Sequence, residues 1–309
     1  MKSNEIIGWL LEGDVSIQYQ TYRDLLNIDK PRLRKKIEKE GWGSQFLSCR
    51  LRNGHWGKSF YQPKWTSSHY TLLDLKNLAI SPDNKTIKET LDIIFKNLKG
   101  PDGGILPIGI DKKSDVCVNG MVLNYSSYFR VKEELLKSIV DFLLSQQVAD
   151  GGFNCHSNRK GCEHSSLHST LSVLEGVWEY KKNGYGYRLK ELEKVKRDSE
   201  EFILMHRLFK SDKTGEIINP NFLKLYYPSR WYYDILKAMD YFQCAHVKYD
   251  PRMDDAMKVI QSKKNKDGLW NLTSPHHGQT HFDMEKAGKP SRWNTLRALR
   301  VLKYYQGFK

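Results

Sequence analysis

The sequence predicts an all-α fold, an α/α toroid of about six helical hairpins in inner and outer helix rings, as a single domain over residues 1–309. Three observations lead there. Glycine-centred turns recur at the spacing of a helix pair, Lys/Glu-rich amphipathic segments alternate with segments apolar over a wide arc, and the tetrapeptide PSRW twice opens an apolar segment. Periods of this length mark a helical repeat, because strands would turn far more often.

The turns are NGHW at 53–56, DGGI at 102–105, DGGF at 150–153, TGEI at 214–217 and DGLW at 267–270, with steps of 49, 48, 64 and 53 residues between their Gly54, Gly103, Gly151, Gly215 and Gly268. The apolar segments are VSIQYQTYRDLLN, SSHYTLLDLKNLAI, DVCVNGMVLNYSSYF, HSSLHSTLSVLEGVW, RWYYDILKAMDYF and RWNTLRALRVLKYY. A helix that is hydrophobic over most of its circumference is covered on several sides, so these six read as the inner ring. The polar segments, with a short helix in 3–12, read as the outer one. In the two PSRW copies Ser229 and Ser291 are placed as N-caps.

Composition narrows the function classes. Phe, Trp and Tyr number 37 along the whole chain, against disorder. The first residues carry too short an apolar run for a signal peptide, and no stretch of about 18 apolar residues occurs. With five scattered cysteines, an odd number, this predicts a cytoplasmic protein whose thiols are core residues or metal ligands. The net charge of +14 is spread over outer helices, as in KPRLRKK at 30–36. An anionic small molecule or peripheral contact with a membrane surface accounts for it better than specific nucleic-acid binding.

The Asp-Gly-x-aromatic turns, preceded by Gln in QQVADGGF and QSKKNKDGLW, resemble the repeats of squalene and oxidosqualene cyclases, over most of the chain. The resemblance implies the toroid shared by terpenoid cyclases and protein prenyltransferase β subunits, with an isoprenoid in its cavity. The acid motif of protonation-initiated cyclases has its nearest counterpart in DPRMDD at 250–255, on an outer segment, so the transferases are the better match. SDVCVNGMVL at 114–123 is similar to their zinc-binding segment. On that resemblance Asp115, Cys117 and His168 would hold Zn²⁺, with an isoprenyl diphosphate as substrate and a helical α-type partner subunit that this chain does not contain.

The residues also have readings of their own. Zinc favours a tetrahedral set of thiolate, imidazole and carboxylate, and Asp115 could join Cys117 only from the first turn of a helix; the same two residues also read as a cap and a small buried side chain. His164, His168 and Glu175 fall on one face of an apolar helix at i, i+4 and i+11, a polar stripe that suggests a lined cavity with Glu175 and His164 as catalytic acid or base. Arg230 and Arg292 sit in predicted first turns, where a cation opposes the helix dipole. They read either as anion ligands together with His69 or as partners of Asp234, Asp283 or Glu285. Tyr125, Trp178, Trp231 and Trp293 could present ring faces to substrate. Toroids also host glycosidases and lyases, so a carbohydrate-active enzyme using Glu175 is the first alternative, and a binding module with a degenerate site the second.

Overall fold

A computed structural model of the protein describes residues 3–108, 112–273 and 276–307. The described residues contain fourteen α-helices and no strand, only isolated bridges. In chain order the helices are α1 (Ser3–Leu11), α2 (Val15–Gln20), α3 (Pro31–Lys36), α4 (Gly41–Ser48), α5 (Ser68–Asn77), α6 (Lys85–Asn97), α7 (Val116–Tyr128), α8 (Glu133–Ser145), α9 (Ser157–Lys160), α10 (Leu167–Lys182), α11 (Leu189–Met205), α12 (Ile235–Cys244), α13 (Asp254–Ser262) and α14 (Arg292–Gln306). None is long and apolar enough to cross a membrane.

The helices are of the two expected kinds. Along α7, polar Asn119, Asn124, Ser126 and Ser127 are as buried as Val118 and Leu123, the pattern of a helix covered all round. Helices α6, α8 and α13 instead bury one stripe each, such as Ile87, Leu91 and Ile94 of α6. Asp14, Asn84, Asp234 and Ser291 cap α2, α6, α12 and α14 by accepting from backbone N–H groups of the first turn.

The predicted turns are real and share one geometry. Gly54, Gly103, Gly151, Gly215 and Gly268 all have positive φ, between 72° and 91°, a conformation that costs glycine least. In four of them the residue two positions after that glycine is fully buried and its N–H donates to a polar side chain of the covered helix that follows. Trp56 donates to Ser68 Oγ (3.0 Å), Ile105 to Asn119 Oδ1 (2.7 Å), Phe153 to Thr170 Oγ1 (2.9 Å) and Trp270 to Thr295 Oγ1 (3.1 Å). The fifth turn departs: Ile217 is 45% exposed, because a long irregular segment with a 3-10 turn at Pro220–Leu223 separates it from α12. Gln147 donates to Gly151 O at 3.0 Å, tying a helix end to its turn, whereas Gln261 bonds Gln306 instead.

The chain gathers into two compact units. One is discontinuous and holds residues 1–48, 77–81 and 204–309; the other holds 49–76 and 82–203 and, interrupted only by residues 77–81, is called the continuous unit. In the discontinuous unit the first and last helical segments are joined. Lys303 Nζ donates to the carbonyls of Asp24 (3.0 Å) and Leu25 (3.1 Å), and Arg292 Nε donates to Trp9 O (3.0 Å). A lysine at the carboxyl end of a helical turn satisfies carbonyls that have no partner within it.

In the continuous unit α7 packs along α10 with backbone in contact. A Cβ on Gly176 would fall 2.4 Å from Gly120 O, and one on Gly120 would fall 2.8 Å from Ser172 O. Gly176→Ala should therefore lower stability by about 1–3 kcal/mol through overpacking. Gly8→Ala in α1, where a Cβ meets nothing within 4 Å, should be neutral or stabilising. Urea midpoints of the two variants, compared at equal slope, check both.

Candidate functional site

The N-terminal end of α5 places His69 in a cage of rings in the continuous unit. Phe60, Tyr61, Tyr70 and Tyr125 have ring centroids within 4.7–5.7 Å of the imidazole. Its Nδ1 lies 3.3 Å from Tyr125 Oη, while Nε2 is buried and meets no partner among the described residues. Burial pushes His69 down to about 3 and pushes the Tyr125 phenol well up, so at neutral pH both groups are uncharged. Tyr61 Oη bonds Tyr70 Oη at 3.1 Å. The Tyr61 phenol is raised chiefly by burial, with the nearby Asp115 adding to the rise.

Asp115 stands just ahead of α7, and both its oxygens are held by Arg159, Nε at 2.8 Å and Nη2 at 3.0 Å. Cys117 is joined to Cys155 in a disulfide, with Cα atoms 5.6 Å apart. The proposed zinc ligands are therefore engaged elsewhere: Asp115 binds a guanidinium, Cys117 a second sulfur, and no group of three metal-binding side chains forms among the described residues. The sequence treated the cysteines as separate thiols, since a spacing of 38 residues across a turn carries no pairing signal.

On α10 the polar stripe survives in altered form. The helix starts at Leu167, so His164 lies before it, exposed in a bend, and not on the helical face expected. His168 and Glu175 do share a face, and Trp178 completes it. From Leu167 to Tyr180 these three are the residues of α10 that packing leaves uncovered. Glu179 points elsewhere: it is buried, and although desolvation opposes ionisation, Lys76, Lys182 and Asn183 hold its carboxyl below the ordinary range.

The discontinuous unit contains the other expected residues. Arg292 occupies the first turn of α14 as predicted, and the dipole conflict is relieved by Glu285, which accepts from the N–H groups of Arg292 (2.6 Å) and Trp293 (3.4 Å). The Arg292 guanidinium lies 4.4 Å from the Trp9 ring centroid. Arg230 does not open a helix. α12 starts five residues later behind Asp234, Ser229 donates to Asp234 Oδ2 (3.2 Å) rather than capping, and Arg230 is a buried loop residue with φ 54°. Trp231 stacks on Tyr232, and Trp293 has both Trp42 and Tyr227 as stacked neighbours. Asp234 and Glu285, read from the sequence as partners of Arg230 and Arg292, are both committed to helix starts; burial raises each of them.

No family profile matches the chain, and no curated protein matches its sequence. Solved structures do match its fold. A polysaccharide lyase aligns over 97% of this chain and 96% of its own with a TM-score of 0.53 at 13% identity. A glycosyl hydrolase of family 88 from Bacteroides vulgatus aligns over 96% of both chains with a TM-score of 0.54 at 12% identity. The fold is the α/α toroid expected from the repeats. The resemblance to terpenoid cyclases and prenyltransferases is corrected by the same findings, and with it the prenyltransferase activity, the zinc-isoprenoid chemistry and the isoprenyl diphosphate substrate. The reason is physical: Asp-Gly-x-aromatic turns report how a helix hairpin closes, a need common to toroids of any chemistry.

The His69 environment has a measurable consequence. Below pH 6.5 the unfolded chain binds a proton that buried His69 refuses until about pH 3, so this group makes stability fall as pH drops through that window. The slope from one such site is at most about 1.4 kcal/mol per pH unit. Thermal unfolding between pH 6.5 and 4 should show a shallower decline in His69→Phe than in wild type.

Proposed function

We propose that this protein is a carbohydrate-active enzyme that cleaves a glycosidic bond in an acidic oligosaccharide, with Glu175 as acid/base and Trp178 as sugar platform. One observation carries the reading: from Leu167 to Tyr180, α10 is buried except for a half-buried imidazole, carboxylate and indole on one face. These are the groups that sugar chemistry uses. An indole stacks on the C–H face of a pyranose, and a carboxyl group one turn away can exchange a proton with the glycosidic oxygen. The net charge of +14 favours an anionic substrate over a neutral one. The likeness of the whole fold to a lyase and to a hydrolase supports the class without choosing between them.

A second reading rests on His69 and Tyr125. If Nδ1 carries the proton and donates to Tyr125, the bare Nε2 lone pair can take the proton beside a uronate carboxylate. The electron pair then forms a carbon–carbon double bond, the glycosidic C–O bond breaks, and the leaving oxygen takes the Tyr125 proton. The two routes give different products.

Incubation with uronate-containing oligosaccharides should release new reducing ends. Glu175→Gln should lower kcat/KM by about 10²–10⁴-fold with the helical spectrum unchanged. Ultraviolet absorbance from an unsaturated uronate, lost in Tyr125→Phe and kept in Glu175→Gln, would instead select the elimination route. No cleavage of any acidic or neutral oligosaccharide by folded wild-type protein would end both.

A further inference from the structure

The α12–α14 contact in the discontinuous unit buries a network of basic and acidic side chains. Asp240 lies 3.3 Å from Arg297 Nε and 3.7 Å from Arg300 Nε, and Asp24 lies 3.3 Å from Arg300 Nη1 while also pairing with Arg23. Lys237, 8% exposed, spends its ammonium on Arg230 O at 2.8 Å, one turn from the buried Asp234. Lys237, Arg297 and Arg300 thus face Asp24, Asp234 and Asp240, three cations against three anions, with Arg23 exposed at the edge. The charges balance, but two buried donors of α14 still lack an acceptor among the described residues.

The missing acceptor has an address. Arg297, 5% exposed, has its Nη1 buried with no acceptor among the described residues, and Trp293, 1% exposed, has its indole Nε1 in the same condition. The two are four residues apart on α14 and therefore share a face. Both are donors only, so one group with lone pairs and no protons would suit them together. Around them are flat rings. Tyr227 stacks on Trp293 at 4.5 Å between centroids, the Trp42 ring lies 6.2 Å from Trp293 at 27° to its plane, and Arg297 lies 5.9 Å from the Tyr227 centroid. Trp42 is only half-buried, so this stack reaches the surface.

We propose that this face of α14 is a recognition subsite for a sugar bearing an oxyanion, a carboxylate or a sulfate ester, with Arg297 and Trp293 as its donors and the Trp42, Tyr227 and Trp293 rings as its platform. The proposal rests on the carbohydrate reading above and adds to it the charged group that is recognised. It also moves anion binding away from Arg230 and Arg292, whose backbone strain and Glu285 contact, respectively, explain their positions.

Calorimetric titration with glucuronate, with a glucose sulfate ester and with glucose tests it on the full chain. Saturable binding of either anion, at least about tenfold tighter than glucose, is expected, and the anion that binds identifies the source of the oxyanion. Arg297→Gln should weaken that binding by about 10–100-fold, the worth of a charged hydrogen bond. Trp293→Phe, which keeps the ring and deletes the N–H, should weaken it several-fold, and it decides the matter if Arg297→Gln does not fold. Equal binding of glucose, no binding of either anion, or unchanged affinity in both variants would overturn the site. Titration needs no turnover, so absent binding with intact cleavage removes this subsite alone, and intact binding with no cleavage removes the catalytic reading alone.

Discussion

A single hydrogen bond, repeated at four turns, sets the register on which the other contacts depend. The N–H of Trp56, Ile105, Phe153 or Trp270 would be orphaned when its side chain goes into the core, and a hydroxyl or amide near the start of the following helix takes it. The left-handed glycine just before makes the geometry available. Asp102 and Asp150 add to the same joint by accepting from the backbone and hydroxyl of Ser114 and Ser165. Each joint fixes both the depth and the rotation of a covered helix. The rotation matters for function, because it decides which three side chains of α10 are left uncovered.

Fold and site were legible to different degrees, and the difference has a physical origin. Turn spacing and apolar arc survive in one-dimensional form because a helix pair must be a certain length and a covered helix must be apolar on most sides. Those signals located the five turns, α14 with its Ser291 cap, and the covered character of α7 and α10. Helix starts were harder. PSRW looks the same twice, yet only the second copy opens a helix, because Trp231, Tyr232 and Tyr233 spend three residues stacking and burying rings before Asp234 offers a cap. A similar displacement left His164 outside α10.

Pairings across the chain were mostly not legible. Glu285 with Arg292 was one of the partners offered, but Arg159 on Asp115, Cys155 on Cys117 and Tyr125 on His69 join residues separated by 38 to 56 positions, and no local pattern encodes them. The zinc reading failed on such pairings: each proposed ligand was chemically suitable, but two of the three had partners that the sequence kept out of view. A motif names candidates, and only the surrounding side chains say whether a candidate is still available.

Availability also separates the two kinds of polar group in this protein. Asp234, Glu285 and Glu179 are carboxylates in protected surroundings, which is where perturbed acids are usually sought, yet each is consumed by a cap or a cation. Glu175 is half-buried, on a helix face reached by solvent. His69 and Arg297 combine the two conditions differently: they are fully enclosed, but each retains one nitrogen that the protein does not satisfy. Folding alone would have selected apolar side chains at both positions, since an unsatisfied buried nitrogen is a net cost. That cost is why chemistry and recognition are sought at these positions rather than at the more conspicuous charges of the surface.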